Sequence, residues 1–293
     1  MQHGSLLFAR LVLAGLLIIG LVVSEGATAS AVSPELAALE DAGGAEIQNV
    51  YVRLPQTATS DDQPLQVVVA LHGMGGNGRD FAGPLATAAD QNGWVLVAPT
   101  INYGDWTDPA QITHEDPALI SWLSDYVDHL SENVGVAVEP RVLLFGHSRG
   151  AQLSLRFTEL HPEQVAGVAA VSAGTYTLPT DLDDFPYGVG DLAQDDGGRP
   201  FDAKSFVGVP VWVGVGTEDT NPADVPHAWD AYIGRTRVER AKTFTRALQQ
   251  LGSSVSLTLF PGAGHGLTDQ MRQQALDALV ADLAPDPQAP RNA

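Results

Sequence analysis

The tightest constraint on this chain is a strand that passes into a helix through five residues. Arg141-Val142-Leu143-Leu144-Phe145 reads as a buried strand and Ala151 to Leu160 as a helix, and Gly146-His147-Ser148-Arg149-Gly150 joins them. A connection that abrupt holds the serine in a strained backbone conformation, with its hydroxyl projecting above the strand end. A side chain at Gly146 or Gly150 would collide with the turn, so glycine is required at both. The helix points its positive end at the serine, which favours negative charge developing there.

The rest of the chain repeats the alternation. Glu46 to Leu54 predicts an edge strand ended by Pro55, and Thr57 to Pro64 a polar hairpin loop. Leu65–Leu71, Trp94–Ala98, Val165–Val171, Val209–Val215 and Val255–Phe260 are apolar runs suited to strands buried on both faces. Asp116 to Val134 sets Leu119, Ile120, Leu123, Val127 and Leu130 on one helical face. Arg235–Leu251 is a helix stopped by Gly252, and Leu267–Leu283 is the last helix. Ser33 to Asp41 predicts a short helix capped by Ser33. The pattern predicts one α/β domain over residues 32–284, a doubly wound and mostly parallel sheet with helices on both faces. Thr175 to Val207, rich in Asp, Gly and Pro, has two readings: a lid or pocket wall, or a plain surface excursion. Pro285 to Ala293 reads as a disordered tail.

Composition removes several classes of function. The chain of 293 residues has no cysteine, which excludes disulfides, thiol catalysis and zinc–thiolate sites. Its formal net charge is −20, with Lys204 and Lys242 the only lysines. Nucleic acid and anionic membrane surfaces are therefore poor partners. Met1 to Ala31 stands apart from the domain. Arg10 precedes Leu11 to Val23, wholly apolar or glycine, and Ala27-Thr28-Ala29-Ser30-Ala31 follows. This is the three-part pattern of a secretory signal cut after Ala29 or Ala31, and it predicts a secreted or periplasmic protein. The alternative is an uncleaved anchor over residues 11–23, although spanning needs about 20 apolar residues.

A serine hydroxyl becomes a nucleophile only beside a base, which a third group must orient. Of the eight histidines, His265 stands in Gly262-Ala263-Gly264-His265-Gly266, between the last strand and the last helix. A glycine-rich loop at a strand's C-terminal end can deliver a base to Ser148. His147, next to the serine, is expected to point elsewhere. The acid is expected after the Val209–Val215 strand, in Thr217-Glu218-Asp219, with Asp219 preferred over Glu218 and Asp224. His72-Gly73-Met74-Gly75-Gly76 follows the Leu65–Leu71 strand and suits an oxyanion hole, with the Met74 amide as one donor and the Arg149 amide as the other.

These motifs resemble those of the α/β-hydrolase superfamily, in the order Ser148, Asp219, His265, and the sequence is similar to its compact secreted esterases. Leu71 to Asn77, Gly146 to Gly150, Gly216 to Asp219 and Gly264 to Gly266 carry the resemblance, which spans about Glu46 to Leu283. The region between strands also resembles the polyhydroxybutyrate-depolymerase and feruloyl-esterase-like group and the phospholipase/carboxylesterase group. The resemblance implies an α/β-hydrolase fold, no cofactor, and hydrolysis of a small or polymeric carboxylic ester through an acyl-enzyme. A peptidase, a thioesterase or a non-catalytic binding protein on the same scaffold are the alternatives. Two features differ from those groups: Arg149 follows the serine where Gln, Met or Ala is common, and disulfides are absent. Arg149 either faces the mouth or turns away to pair with a carboxylate.

Phe81, Tyr103, Trp106, Tyr176 and Trp229, with Met74, are candidate pocket residues. The aspartates at 181, 183, 184, 191, 195 and 196 lack calcium-loop spacing, and His114-Glu115-Asp116 lacks zinc spacing, so no metal is expected. Mass spectrometry of protein recovered from the producing cells is expected to find a chain starting at Ser30 or Val32; an intact Met1 would rule cleavage out.

Overall fold

A computed structural model describes residues 45–56, 63–192 and 200–283. The expected signal segment over residues 1–31, the expected Ser33–Asp41 helix, most of the expected Thr57–Pro64 loop, Asp195, Asp196 and the expected tail lie outside the described residues. Among the described residues are seven strands, β1 (Glu46–Arg53), β2 (Val67–Leu71), β3 (Val95–Asn102), β4 (Val142–His147), β5 (Val165–Val171), β6 (Val211–Gly216) and β7 (Val255–Phe260). They form one sheet in the order β1-β3-β2-β4-β5-β6-β7. Only β1, at the edge, runs antiparallel.

The helices are α1 (Gly78–Ala82), α2 (Ala86–Asn92), α3 (Pro109–Asp128), α4 (Leu130–Val134), α5 (Arg149–Leu160), α6 (Ala203–Phe206), α7 (Asp230–Ile233), α8 (Arg237–Leu251) and α9 (Asp269–Asp282). Strand side chains alternate between two apolar layers. Val67, Val69 and Leu71 of β2 join α3, α5 and α8 on one face, through Leu119, Leu123, Phe157 and Phe244. Val68 and Ala70 join α1, α2 and α9 on the other, through Ala82, Ala89, Met271 and Leu279. Each fully buried Val, Leu, Phe or Met among them contributes about 1.5–3 kcal/mol. Every residue of α5 is buried, because the helix lies between the sheet and α3.

Two expectations are corrected. The Asp116–Val134 helix is two helices, and the first starts at Pro109, where the Asp108 side chain accepts the Ala110 amide at 2.9 Å. Apolar periodicity becomes visible only from Leu119, so the polar first turns carried no signal. The strand expected to stop before Pro99 runs on to Asn102. Pairing with β2 ends at Val97, so Pro99 has only β1 as a neighbour, an edge-like place where a missing amide is tolerated. Helices α1, α2, α6 and α7, each seven residues or fewer, were too short to show a period.

At the end of α9, Asp282 is half-buried beside Gly167 of β5, and its Oδ2 has no hydrogen-bond partner among the described residues. Burial raises its carboxyl from 3.8 to about 6. The folded state therefore holds the proton more tightly than the unfolded state does. The stability tied to this group is complete below pH 3.8 and is lost as pH rises through 6. Asp282→Asn is expected to raise the urea midpoint at pH 8 and leave it unchanged at pH 4. Equal shifts at both pH values would mean that packing, not ionisation, is responsible.

Candidate active site

The strand ends of β2, β4, β6 and β7 bring the predicted site residues together. Ser148, between β4 and α5, has φ 53° and ψ −116°, a left-handed conformation costing about 1–3 kcal/mol in a residue with a side chain. Its amide donates to the Val171 carbonyl at 2.9 Å, which holds the turn against β5. A Cβ on Gly146 would meet the Gly150 carbonyl oxygen at 2.5 Å, and one on Gly150 would overlap the carbonyl of Leu71.

His265 lies in the loop after β7. Its Nε2 is 3.1 Å from Ser148 Oγ, and its Nδ1 is 2.9 Å from Asp219 Oδ2. With the carboxylate accepting from Nδ1–H, Nε2 is left to accept from the serine. The two loops are tied at the backbone, where the Glu218 amide donates to the Ala263 carbonyl at 2.9 Å. Of the alternative acids, Glu218 is exposed and Asp224 engages Arg237 through its main-chain carbonyl. Burial pushes the Asp219 carboxyl up, but the His265 hydrogen bond and the Arg237 cation outweigh it and hold the group below 3.8.

The turn after β2 is closed by the Gly76 amide donating to the Gly73 carbonyl at 3.2 Å, with Gly75 at φ +67°. The Met74 amide takes no part in that bond. Arg149 opens α5, so its amide is one of the four that a helix leaves without an internal acceptor. His72 anchors this turn: its Nε2 accepts the Ile101 amide at 3.0 Å and its Nδ1–H donates to Gly73 O at 2.6 Å. Burial lowers its pKa, against the raising effect of the Gly73 bond, and favours the neutral ring.

Around Ser148 opens a groove of about 630 Å³, lined by His72 to Asn77, Asp80, Phe81, His147, Ser148 and His265. A second hollow of about 640 Å³ lies at the opposite rim, beside Leu65, Trp94 and Arg141. Ligands of parallel sheets bind at the strands' C-terminal ends, which favours the serine groove. Of the predicted pocket residues, Phe81 and Met74 line it. Tyr103, Trp106, Tyr176 and Trp229 do not. Tyr103 and Tyr176 are core side chains, packed on Arg149 and Phe244, and Trp229 is fully buried beside Tyr187. Trp106 packs against Gly174 and Arg237. These rings were placed in the groove because they follow strands, and strand-end aromatics serve the core equally well. Among the described residues of 175–207, none lines the groove; Thr175 and Thr177 bond to Arg156.

The Arg149 side chain turns inward and is fully buried. Its Nη2 lies 2.9 Å from Glu115 Oε1 and also bonds Asp116 Oδ1, and its guanidinium sits 4.9 Å from the Tyr103 ring centre. Arg156 Nη1 reaches Asp116 Oδ2 at 2.6 Å. Two arginines of α5 thus meet two acids of α3 away from water. Burial opposes the Asp116 charge, but Arg149 and Arg156 outweigh it and hold the carboxyl low. Sequence reasoning missed Glu115 and Asp116 as partners, because nothing in the spacing of Arg149 and Arg156 along the helix says which acids pack against them. His147 donates its Nε2–H to the His265 carbonyl at 3.0 Å, and burial lowers its pKa to about 4. Among the described residues no group of three or more His, Asp or Glu could hold a metal.

Arg149→Met is expected to lower stability by about 3–5 kcal/mol in urea unfolding, because it leaves the buried Glu115 carboxylate without a cation and Asp116 with Arg156 alone. A loss below about 1 kcal/mol would mean the cluster rearranges or takes in water.

Among curated proteins none matches the chain in sequence. Solved structures share its fold. Poly(aspartic acid) hydrolase-1 from Sphingomonas sp. KT-1 is 23% identical, with a TM-score of 0.61, over 79% of this chain and 93% of that one. A phospholipase/carboxylesterase from Dyadobacter fermentans DSM 18053 is 21% identical, with a TM-score of 0.54, over 81% and 98%. Esterase PE8 is 22% identical, with a TM-score of 0.53, over 80% and 98%. At such identities the likeness is one of fold. Residues 68–281 match the alpha/beta hydrolase family, and the chain belongs to it.

Proposed function

We propose that this hydrolase is a secreted serine esterase that cleaves carboxylic esters through an acyl-enzyme. The observation that carries the reading is the hydrogen-bonded line Ser148–His265–Asp219, at 3.1 and 2.9 Å, on the floor of an open groove. Ser148 Oγ attacks the ester carbonyl while His265 Nε2 takes its proton. His265 then gives that proton to the departing alkoxide, and Asp219 steadies the imidazolium between the two steps. Water, deprotonated by the same nitrogen, releases the acid. The Met74 and Arg149 amides receive the oxyanion, and each such donor contributes about 2.7–4 kcal/mol. The strained φ of Ser148 keeps its hydroxyl raised between base and amides.

The groove also suggests the kind of ester. Its apolar members are Met74 and Phe81, the latter stacked on Phe145 at 5.5 Å, and the acid on its rim is Asp80. Among the described residues neither Lys nor Arg lines it, since Arg149 faces the core. An anionic acyl group finds no cation there, so a neutral ester is the better substrate. Export rests on residues 1–31.

Ser148→Ala is expected to lower turnover of p-nitrophenyl butyrate by about 10⁴-fold or more and to abolish labelling by a fluorophosphonate. Undiminished turnover in that variant would refute the assignment, and labelling without turnover of any ester would favour a peptidase or thioesterase.

A further inference from the structure

Asp219 has two carboxylate oxygens, and His265 uses only one. The other, Oδ1, accepts from Arg237 Nη1 at 3.0 Å. The ion pair is shielded from water, with side-chain exposures of 5% and 2%. Arg237 is held independently of the acid. Its Nη2 donates to the Asp224 carbonyl at 2.7 Å, and its Cζ lies 5.9 Å from the Trp106 ring centre. It is also the first residue of α8, where the helix dipole disfavours a cation. Helix stability therefore does not explain an arginine at this position.

We propose that Arg237 is a positioning residue of this site, clamping Asp219 so that Oδ2 faces His265 and, by sharing the carboxylate's charge, setting the acidic limit of activity. The proposal rests on the Ser148–His265–Asp219 reading above. In a three-membered site the carboxylate alone balances the imidazolium formed during attack. Here the Asp219–Arg237 pair is already neutral, so proton transfer to His265 leaves the cluster with one net positive charge. The imidazolium formed during attack is therefore balanced less than in a site without the arginine.

The other groups around the pair leave that balance unchanged. His147, from β4, is neutral at neutral pH, since burial lowers it to about 4. Tyr176, after β5, is held neutral by burial, which raises its pKa. Arg240, one turn along α8, is engaged by Asp230 at 2.9 Å and by the carbonyls of Gly174 and Pro226. Glu218 is exposed, and Asp224 offers a main-chain carbonyl.

The test is the pH dependence of kcat/KM for p-nitrophenyl butyrate in wild type, Arg237→Met and Arg237→Lys. Loss of the charge is expected to move the acidic limb up by about one pH unit. KM is expected to stay within about twofold, because Arg237 does not line the groove. Arg237→Lys, which keeps the charge without the fork, is expected to keep the wild-type limb with a lower kcat. A folded Arg237→Met whose limb coincides with wild type would overturn the proposal. Should Arg237→Met not fold, Arg237→Gln replaces it, since it keeps a donor for Oδ1; should neither fold, a displaced limb in Arg237→Lys overturns the proposal and an unmoved one supports it. A native protein that cleaves no ester and takes no fluorophosphonate at Ser148 would sink the reading of the site itself. An active Arg237→Met with an unmoved limb sinks only the role of Arg237.

Discussion

The close approach of α5 to the end of β2 is the contact on which the site depends. Gly150 packs its Cα against the carbonyls of Leu71 and His72, where no side chain fits. That contact sets Ser148 beside the Gly73–Gly76 turn, where a Cβ on Gly73 would lie 3.1 Å from Ser148 Cβ. A bulkier residue would push α5 off the sheet, and serine, base and turn would separate together. The left-handed backbone of Ser148 is the strain that goes with this approach, and the β5 carbonyl that accepts its amide helps to hold it.

The buried charges are the other support of this geometry. Arg149 and Arg156 carry two positive charges into the interior, and Glu115 and Asp116 carry two negative ones. Taking four ions out of water is costly, and only close, multiply bonded geometry offsets it. The arrangement joins α3 to the first two turns of α5 and so to the serine. A similar economy holds on the far side of the groove, where a buried arginine reaches the acid behind His265. The surface is strongly acidic, but the arginines inside α5 and α8 are matched one by one with carboxylates and carbonyls.

Much of the fold was legible where the chain is locally simple. Val165–Val171 and Val255–Phe260 have the bounds that their apolar runs predict. Gly252 ends α8 in the left-handed conformation that its position implies. Positions were misread where two local signals competed. Pro99 was taken as a stop, but a missing amide matters only where a neighbour needs it, and β2 has already ended there. Asp108-Pro109 is a helix start that polar first turns concealed. For the candidate site, the convergence of Ser148, Asp219 and His265 was legible because each lies shortly after the end of a strand. The aromatic residues were not, because a ring following a strand is equally at home in the core, as Tyr176 is against Phe244.

By itself the sequence determined the alternation of strands and helices, the turn that carries Ser148, and the loops that carry Asp219 and His265. These depend on backbone rules that act within a few residues: glycine where Cβ is excluded, apolar runs where both faces are covered. Only the tertiary structure decided which charges pair. Arg149 was free on paper to face substrate, and it faces Glu115 and Asp116; Arg237 was an ordinary helix residue, and it holds Asp219. The physical reason is that a buried ion takes whichever partner packing brings within about 3 Å, and spacing along the chain carries no record of that choice.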